Sequence, residues 1–452
     1  MDEASIAARL NRLPVTRTHK LTMAIAGIGT FFDLYDIFLA GVLGTVLTKQ
    51  FHLNALLLPL VLGSGFLGMF FGALFMGLLA DRLGRRTAFL VNLTLYSLFT
   101  LLGAFSANVA MLVVFRFIAG IGIGAEPPLV DSYISDVFPA RFRGRYVAWA
   151  YTIAFLGIPV VGFLAMFLVP LHPLGWEGWR WLFVIGCLGA VIVLFLRRNL
   201  PESPRWLESV GRRAEAEAIT RKMEQEALAA YGEGSLPVPK EEEVKMVRRL
   251  PYRILFSSQY AGRTVMLWVF QILQTIGYYG FGTLVPIVLA AKGFSVVHSL
   301  TYTAFSFVGY PIGSLLSVPV VERLDRKWLI VWSAGLMGVF GLALGYSTTP
   351  AAIVTCGFLY TVVSNIFSNA FHVFQAEIFP TFARVTATST AYSLSRLSSG
   401  LMPFLLLPVL HQAGPLVMFA VVALAMLCLM IDIGVFAPST TGRDLEEVNV
   451  VA

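Results

Sequence analysis

Charge is scarce in this chain. Asp, Glu, Lys and Arg together make up 13% of 452 residues against 57% hydrophobic residues, and the mean hydropathy is +0.77. A water-soluble globule is excluded, because that much apolar surface has no interior large enough to hold it. Cysteine is almost missing: Cys187, Cys356 and Cys428 stand alone in apolar runs, with no disulfide or metal-ligand spacing, and read as small core residues. There is no nucleophile elbow, no metal-ligand cluster and no phosphate-binding Gly-Lys-Ser/Thr loop, so an enzyme is not expected, nor any metal or cofactor. The GIGIG run from Gly120 to Gly124 follows no strand, and so reads as a helix-packing motif instead of a dinucleotide loop. Without an ATP site, any work this protein does draws on a gradient.

What is present is length and apolar continuity. Twelve runs can each span a bilayer of roughly 20 residues' thickness: 21–47, 56–80, 87–105, 109–130, 146–169, 181–196, 263–289, 299–320, 328–345, 351–374, 385–410 and 415–436. The basic tail before the first (Arg9, Arg12, Arg17, Lys20) leads into no small-residue cleavage site, so this run is expected to be a retained helix. The chain also repeats itself. Ala80 to Arg86 reads ADRLGRR and Val321 to Lys327 reads VERLDRK; Ser135 to Arg143 reads SDVFPARFR and Ala376 to Arg384 reads AEIFPTFAR. Both copies stand 241 residues apart (81 to 322, 139 to 380), which predicts an all-α membrane protein of two pseudo-symmetric six-helix bundles.

The expected division is residues 1–196 for an N-terminal bundle with its tail, 197–262 for a linker with amphipathic helices, 263–437 for a C-terminal bundle and 438–452 for a tail. Within the linker, Arg205 to Met223 has Trp206, Leu207, Val210, Ala214 and Ile219 available for one helical face, before a Gly-Pro break at 232–239. Lys and Arg crowd into alternate connections, which places both termini and the linker in the cytoplasm. The net charge of +7 needs no nucleic acid, since basic loops facing anionic lipid produce it. A plasma-membrane monomer is expected.

The motifs GLLADRLGRR (77–86), RFIAGIGIG (116–124), DVFPARFRG (136–144), PESPRWL (201–207) and TGRDLEE (441–447) resemble the major facilitator superfamily over nearly the whole chain. The last two look like the sugar-porter branch and its niacin and aromatic-acid relatives. The resemblance implies a gating latch of Asp81, Arg82, Arg85, Arg86, Asp136 and Arg143, with a degraded copy in Glu322, Arg326, Glu377 and Arg384. Carboxylates beside arginine clusters at helix ends suit that task physically.

Charged side chains inside a span cost about 2.5–3.5 kcal/mol each on insertion scales, so those present are functional candidates. Asp33 and Asp36 lie three apart on one helix, where repulsion and desolvation favour a proton on at least one. By the sugar-porter match, Tyr35-Asp36 and Arg116 correspond to a proton site, with a permanent Asp36–Arg116 structural pair as the alternative. Asp33 is expected to be solvated. Glu126 either binds protons or ties down the Pro-broken end of its helix, and Asp131 is read as interfacial.

For substrate, SLSRLSSGLMP (393–403) is similar to the eleventh-helix pattern of organic-anion, niacin and aromatic-acid symporters. Arg396 then offers a planar fork to a carboxylate, unless it merely pairs with Glu377. Where sugar porters carry Gln-x-x-Gly-x-Asn, this chain has Gln274, Gly277 and Tyr279, and the sugar-stacking Trp is replaced by His372. The polar stripe Asn365, Asn369, His372, with Gln271, Tyr35, Tyr278 and Tyr392, completes the expected lining. These residues predict proton-coupled uptake of a small organic anion such as nicotinate. A sugar, polyol or organic-cation carrier and a transporter-like sensor are the alternatives.

Overall fold

With no water in the hydrocarbon core, every backbone N–H and C=O must be satisfied within its own segment, so the long apolar runs become helices. The computed structural model describes residues 5–440 except 125, 140, 199, 233–235, 240–254, 258–259 and 380, and the side chains of these apart from 76–83, 128, 322, 376 and 381–386. The membrane helices are α1 Arg17–Phe51, α2 Leu57–Leu83, α3 Arg85–Ala104, α4 Val109–Val137, α5 Arg143–Leu168, α6 Gly178–Arg198, α7 Ala261–Ala291, α8 Val296–Val321, α9 Arg326–Tyr346 and α10 Pro350–Glu377. The final helical stretch, Thr381–Phe436, reverses direction at Gly414 (φ 85°, ψ 175°), a conformation that glycine adopts without strain, and so forms α11 (381–413) and α12 (415–436). Twelve crossings are therefore present among the described residues.

Packing repeats with the sequence. α2 lies on α4 as α8 lies on α10, α3 on α6 as α9 on α12, and α1 on α5 as α7 on α11. The GIGIG reading is borne out as close approach: a Cβ at Gly68 would meet the Gly120 Cα at 3.1 Å, and one at Gly122 would sit 2.7 Å from the Asn92 carbonyl oxygen. Large apolar side chains such as Phe75, Phe167, Ile192, Val339 and Leu424 stay outside, where lipid would cover them.

The two halves meet through α1 on α7, α2 on α11 and α5 on α8. These contacts gather toward the face opposite the termini. Gly41 faces the Thr283 backbone, Gly63 faces Gly400, Gly162 faces Ala304, and Phe38 packs on Phe307 and Tyr310 at 5.7 and 5.5 Å. The opposite face, which carries both described ends and the linker, is called the termini face below.

In the linker, the helical pattern read over Arg205 to Met223 is interrupted. Gly211 (φ 82°) breaks it into Pro204–Ser209 and Arg213–Tyr231; Trp206 and Leu207 are buried, whereas Val210 and Ala214 are exposed. The second piece buries Ala216, Met223 and Ala227 against the short N-tail helix Ile6–Asn11 and the N-terminal half. Cys187 is buried as expected, but Cys428 is exposed on the outer surface of α12 and is not a core residue.

Candidate functional site

Two groups of polar side chains sit in the middle of the bundle, one in each half. In the N-terminal half, α1 presents Asp36, 3% exposed, to Arg116 of α4. A carboxylate oxygen lies 3.8 Å from the guanidinium, which also donates to the Asp36 backbone carbonyl at 3.3 Å. Beside the pair is a cavity of about 10 Å³ lined by Asp36, Gly65, Arg116 and Gly120, room for about one water. Asp33 is not solvated as expected; it is 2% exposed, and its Oδ2 has no hydrogen-bond partner among the described residues.

Glu126 forms an ion pair with Arg197 at the end of α6, and both are about 1% exposed. The Arg197 guanidinium lies 4.3 Å over the Phe89 ring. Gly29, one helical turn before Asp33, faces the pair: a Cβ there would lie 3.3 Å from the Glu126 carboxylate. The sequence reading missed Arg197, assigning it to the cytoplasmic linker. It follows the last apolar residue of its span, so a rule that counts basic residues at span ends cannot see that its face turns inward. The described N-terminal cluster thus holds three carboxylates, Asp33, Asp36 and Glu126, against two guanidiniums, Arg116 and Arg197.

The C-terminal group centres on Arg396 of α11, 6% exposed. It donates to the Tyr279 hydroxyl at 2.8 Å, and its guanidinium lies 4.7 Å from the Tyr279 ring and 4.5 Å from the Tyr392 ring. Its Nε is buried without a partner, and among the described residues it has no ion pair. Glu377, the structural partner considered from sequence, is 3.3 Å from Arg326 instead. His372 is exposed toward the N-terminal half, its ring 6.3 Å from that of Tyr151. Its Nδ1 donates to the Ser368 carbonyl at 2.7 Å, which leaves Nε2 open. Gln274 donates to Gln271 at 3.1 Å, and Asn369 to Ser317 at 2.6 Å.

Two expectations need correction. Tyr35 is fully buried with its hydroxyl bonded to the Leu182 carbonyl at 2.9 Å, so it ties α1 to α6 and lines nothing. Asn365 is likewise fully buried; it donates to the Tyr310 carbonyl and accepts from Tyr278 at 3.4 Å, a tie between α10, α8 and α7. Asp131 lies six residues from the end of α4 and is half-buried. Its Oδ1 is buried with no hydrogen-bond partner among the described residues.

At the termini face the latch residues fall into matching pairs. Arg85 is 3.5 Å from Asp136, and Arg326 is 3.3 Å from Glu377; both positions are related by the 241-residue repeat (85 to 326, 136 to 377). Ser203 also donates to Asp136 at 2.9 Å, and Arg143 to the Phe138 carbonyl at 3.1 Å. Arg86 donates to the Arg198 carbonyl. The side chains of Asp81, Arg82, Glu322 and Arg384 lie outside the described residues.

A family profile described as "Sugar (and other) transporter" matches residues 22–452. The chain is 29% identical to the niacin transporter NiaP of Acinetobacter baylyi, over 98% of this chain and 100% of that one. It is 27% identical to the 4-hydroxybenzoate transporter PcaK of Pseudomonas aeruginosa, over 88% and 87%. Further relatives from Bacillus subtilis and Escherichia coli carry metabolite-transport names. Among solved structures, a D-xylose-proton symporter superposes with a TM-score of 0.74 at 20% identity, covering 94% of this chain and 99% of that one.

Proposed function

The chain belongs to the sugar (and other) transporter family of the major facilitator superfamily, and on that premise we propose that this multi-pass metabolite transporter takes up a small aromatic or heteroaromatic carboxylate together with protons. The observation that carries this reading is Arg396. A guanidinium held in the middle of the bundle with no ion-pair partner among the described residues, flanked by two tyrosine rings, is prepared for an anion with an aromatic body. The niacin and 4-hydroxybenzoate relatives transport molecules of that kind.

Proton coupling suits an anion, because the membrane potential opposes its entry and accompanying protons offset the charge. Three buried carboxylates against two guanidiniums leave one negative charge in excess, and a proton removes it. In this reading Asp36 exchanges Arg116 for a proton across the small cavity between them, while Asp33, Glu126 and Arg197 form the adjoining reservoir. Residues 1–196 and 263–437 act as the two rocking bodies, joined by 197–262. The termini face is cytoplasmic, so the described arrangement, joined at the opposite face, is inward-facing. Arg85–Asp136 and Arg326–Glu377 serve as its gating pairs, and a monomer in the plasma membrane is sufficient for the cycle.

Uptake of radiolabelled nicotinate and benzoate, beside glucose, into proteoliposomes with and without an inward proton gradient tests this directly. The expected result is gradient-stimulated uptake of a carboxylate that disappears in Arg396→Ala. Movement of glucose without the acids, or an unimpaired variant, would overturn the anion assignment in favour of a sugar carrier.

A further inference from the structure

Away from the central site, a cavity of about 300 Å³ lies at the face opposite the termini, where the turn after α3 meets the start of α6. That volume is at the lower end of the range of small-molecule sites, roughly 300–1,000 Å³. Phe105, Ser106, Trp176, Glu177 and Arg180 line it. Its polar wall is fixed in place. Arg180 donates through Nη1 to the Ala104 and Ser106 carbonyls at 2.6 and 3.0 Å and through Nε to Glu177 at 2.7 Å, and its guanidinium lies 4.4 Å over the Trp179 ring. These bonds leave Nη2 with no hydrogen-bond partner among the described residues. Ser106 is fully buried, and its Oγ has no partner among them either. Glu177 accepts from Gln50 at 3.0 Å as well as from Arg180, yet a carboxylate has about four acceptor sites and so keeps capacity for a further donor. The Arg180 guanidinium holds the Glu177 carboxyl below its ordinary value of 4.5, so it is ionised at neutral pH. The remaining wall is aromatic: the exposed Trp176 and Phe105 rings meet edge to face at 5.0 Å.

The cavity is continuous with the lipid-facing surface. Val91, Leu98 and Phe105 stand seven residues apart on one side of α3 and are 38%, 50% and 51% exposed. An apolar stripe therefore runs from the cavity along α3 toward the middle of the membrane. We propose that this cavity holds the headgroup of a zwitterionic phospholipid that carries a primary ammonium, with its phosphate on Arg180 and Ser106, its ammonium against Glu177 and the two rings, and its chains along the α3 stripe. Guanidinium and hydroxyl suit phosphate oxygens, and a carboxylate beside aromatic rings suits an ammonium. One fixed cation next to one fixed anion matches a headgroup that has one of each. An anionic headgroup gains Arg180 but offers Glu177 no donor, and a trimethylammonium has no N–H to give. The proposal goes beyond the transport reading and is independent of what Arg396 binds.

Delipidated full-length protein in detergent is mixed with equal amounts of phosphatidylethanolamine, phosphatidylglycerol and phosphatidylcholine that share the same two chains, and the retained lipid is read by native mass spectrometry. Wild type is expected to retain phosphatidylethanolamine at least about threefold over either competitor, a ratio that one exposed charge or cation–π contact supplies. Glu177→Gln should abolish that preference, and Arg180→Gln should lower the retention of all three lipids. Equal wild-type retention of the three, or a preference that survives Glu177→Gln, overturns the proposal. Because Arg180 also ties down the turn after α3, the wild-type series and Glu177→Gln decide the matter even if the Arg180 variant does not fold. Phosphoethanolamine, the headgroup without chains, should leave the retained lipid in place when added at the lipid's own concentration. Displacement by it would overturn the assignment to a lipid in favour of a water-soluble phosphate compound.

Discussion

The two halves are built alike at their ends and unlike at their centres. Arg85–Asp136 and Arg326–Glu377 reproduce one ion pair at a 241-residue offset, on helices that pack in the same order. In the interior, the N-terminal half buries Asp33, Asp36, Arg116, Glu126 and Arg197 as interlocked charges, whereas the C-terminal half buries Arg396 among tyrosines and amides, with Asp432 in the last helix. Seating helix ends is a task common to both copies of a duplicated bundle, so its hardware persists. An interior charge costs about 2.5–3.5 kcal/mol to insert and is retained only where it is used, so the centres are free to specialise. Under the function proposed above, this difference gives ion balance to one half and the ligand to the other.

The sharpest way to break that assignment is to remove one guanidinium from each half. Arg197→Ala strips the counter-ion from a buried carboxylate and is expected to destabilise by about 3–5 kcal/mol, read as a large fall in the thermal unfolding temperature of the purified protein. Adding Glu126→Gln should recover part of it. Arg396→Ala bares no carboxylate and loses chiefly its ring contacts, about 1–2 kcal/mol, so it should abolish ligand binding while leaving unfolding nearly in place. Equal destabilisation by the two would mean that Arg396 is structural as well.

The contact between halves comes next in size. A Cβ at Gly41 of α1 would lie 2.6 Å from the Thr283 carbonyl oxygen of α7, so Gly41→Leu wedges the face opposite the termini. Uptake of whichever acid wild type carries should fall at least about tenfold, a loss of about 1.4 kcal/mol or more in the closed arrangement, and cysteines placed at that face should become more reactive. Gly434→Ala in α12, where a Cβ meets nothing within 4 Å, is the control and should leave uptake unchanged.

A smaller asymmetry lies in how the repeated helix starts are capped. Glu202 of the linker accepts from the Arg85 and Arg86 amides at 3.0 and 3.1 Å, whereas Asp325 caps its own helix through the Lys327 amide at 3.0 Å. Replacing either by Ala should cost about 0.5–2 kcal/mol. Hydrogen exchange separates them: Glu202→Ala should loosen both the first turn of α3 and the linker around 200–210, while Asp325→Ala stays confined to the first turn of α9.

Most of the fold was legible because apolar run length and a repeat offset are one-dimensional signals. Gly414 was legible only as a short polar gap between two runs. The site was harder. Arg396, Asp36 and Arg116 stood out as charges in mid-span, but facing direction is not written in a residue's type. Tyr35 and Asn365 looked like lining and are fully buried helix ties. Arg197 looked like a loop cation, although its guanidinium is buried against Glu126. Periodicity does not resolve such cases, because these helices are apolar nearly all round and one face is not marked off from another.

The linker extends the asymmetry outward, and pH is the lever. Glu224 lies between Arg9 and Arg12 of the N-tail, accepting from their guanidiniums at 2.7 and 2.6 Å, while Thr18 bonds the neighbouring Glu226 at 2.6 Å. Burial alone would raise the Glu224 pKa, but the two arginines outweigh it and hold the carboxyl below its ordinary value of 4.5. A depressed pKa contributes stability that is fully present above the unfolded-state value and is lost as pH falls through the folded-state one. The N-tail helix should therefore stay docked down through pH 4.5 and release only below it, an effect worth under about 1 kcal/mol for a partly solvated pair. Proteolysis of the N-tail across that range checks the sign, and Glu224→Gln should make cleavage insensitive to pH. Among the described residues the Glu224 clamp joins the linker to the N-tail. Release on acidification should accordingly leave exchange in α7 to α12 unaltered, and a change there would show that the linker is fastened to both halves after all.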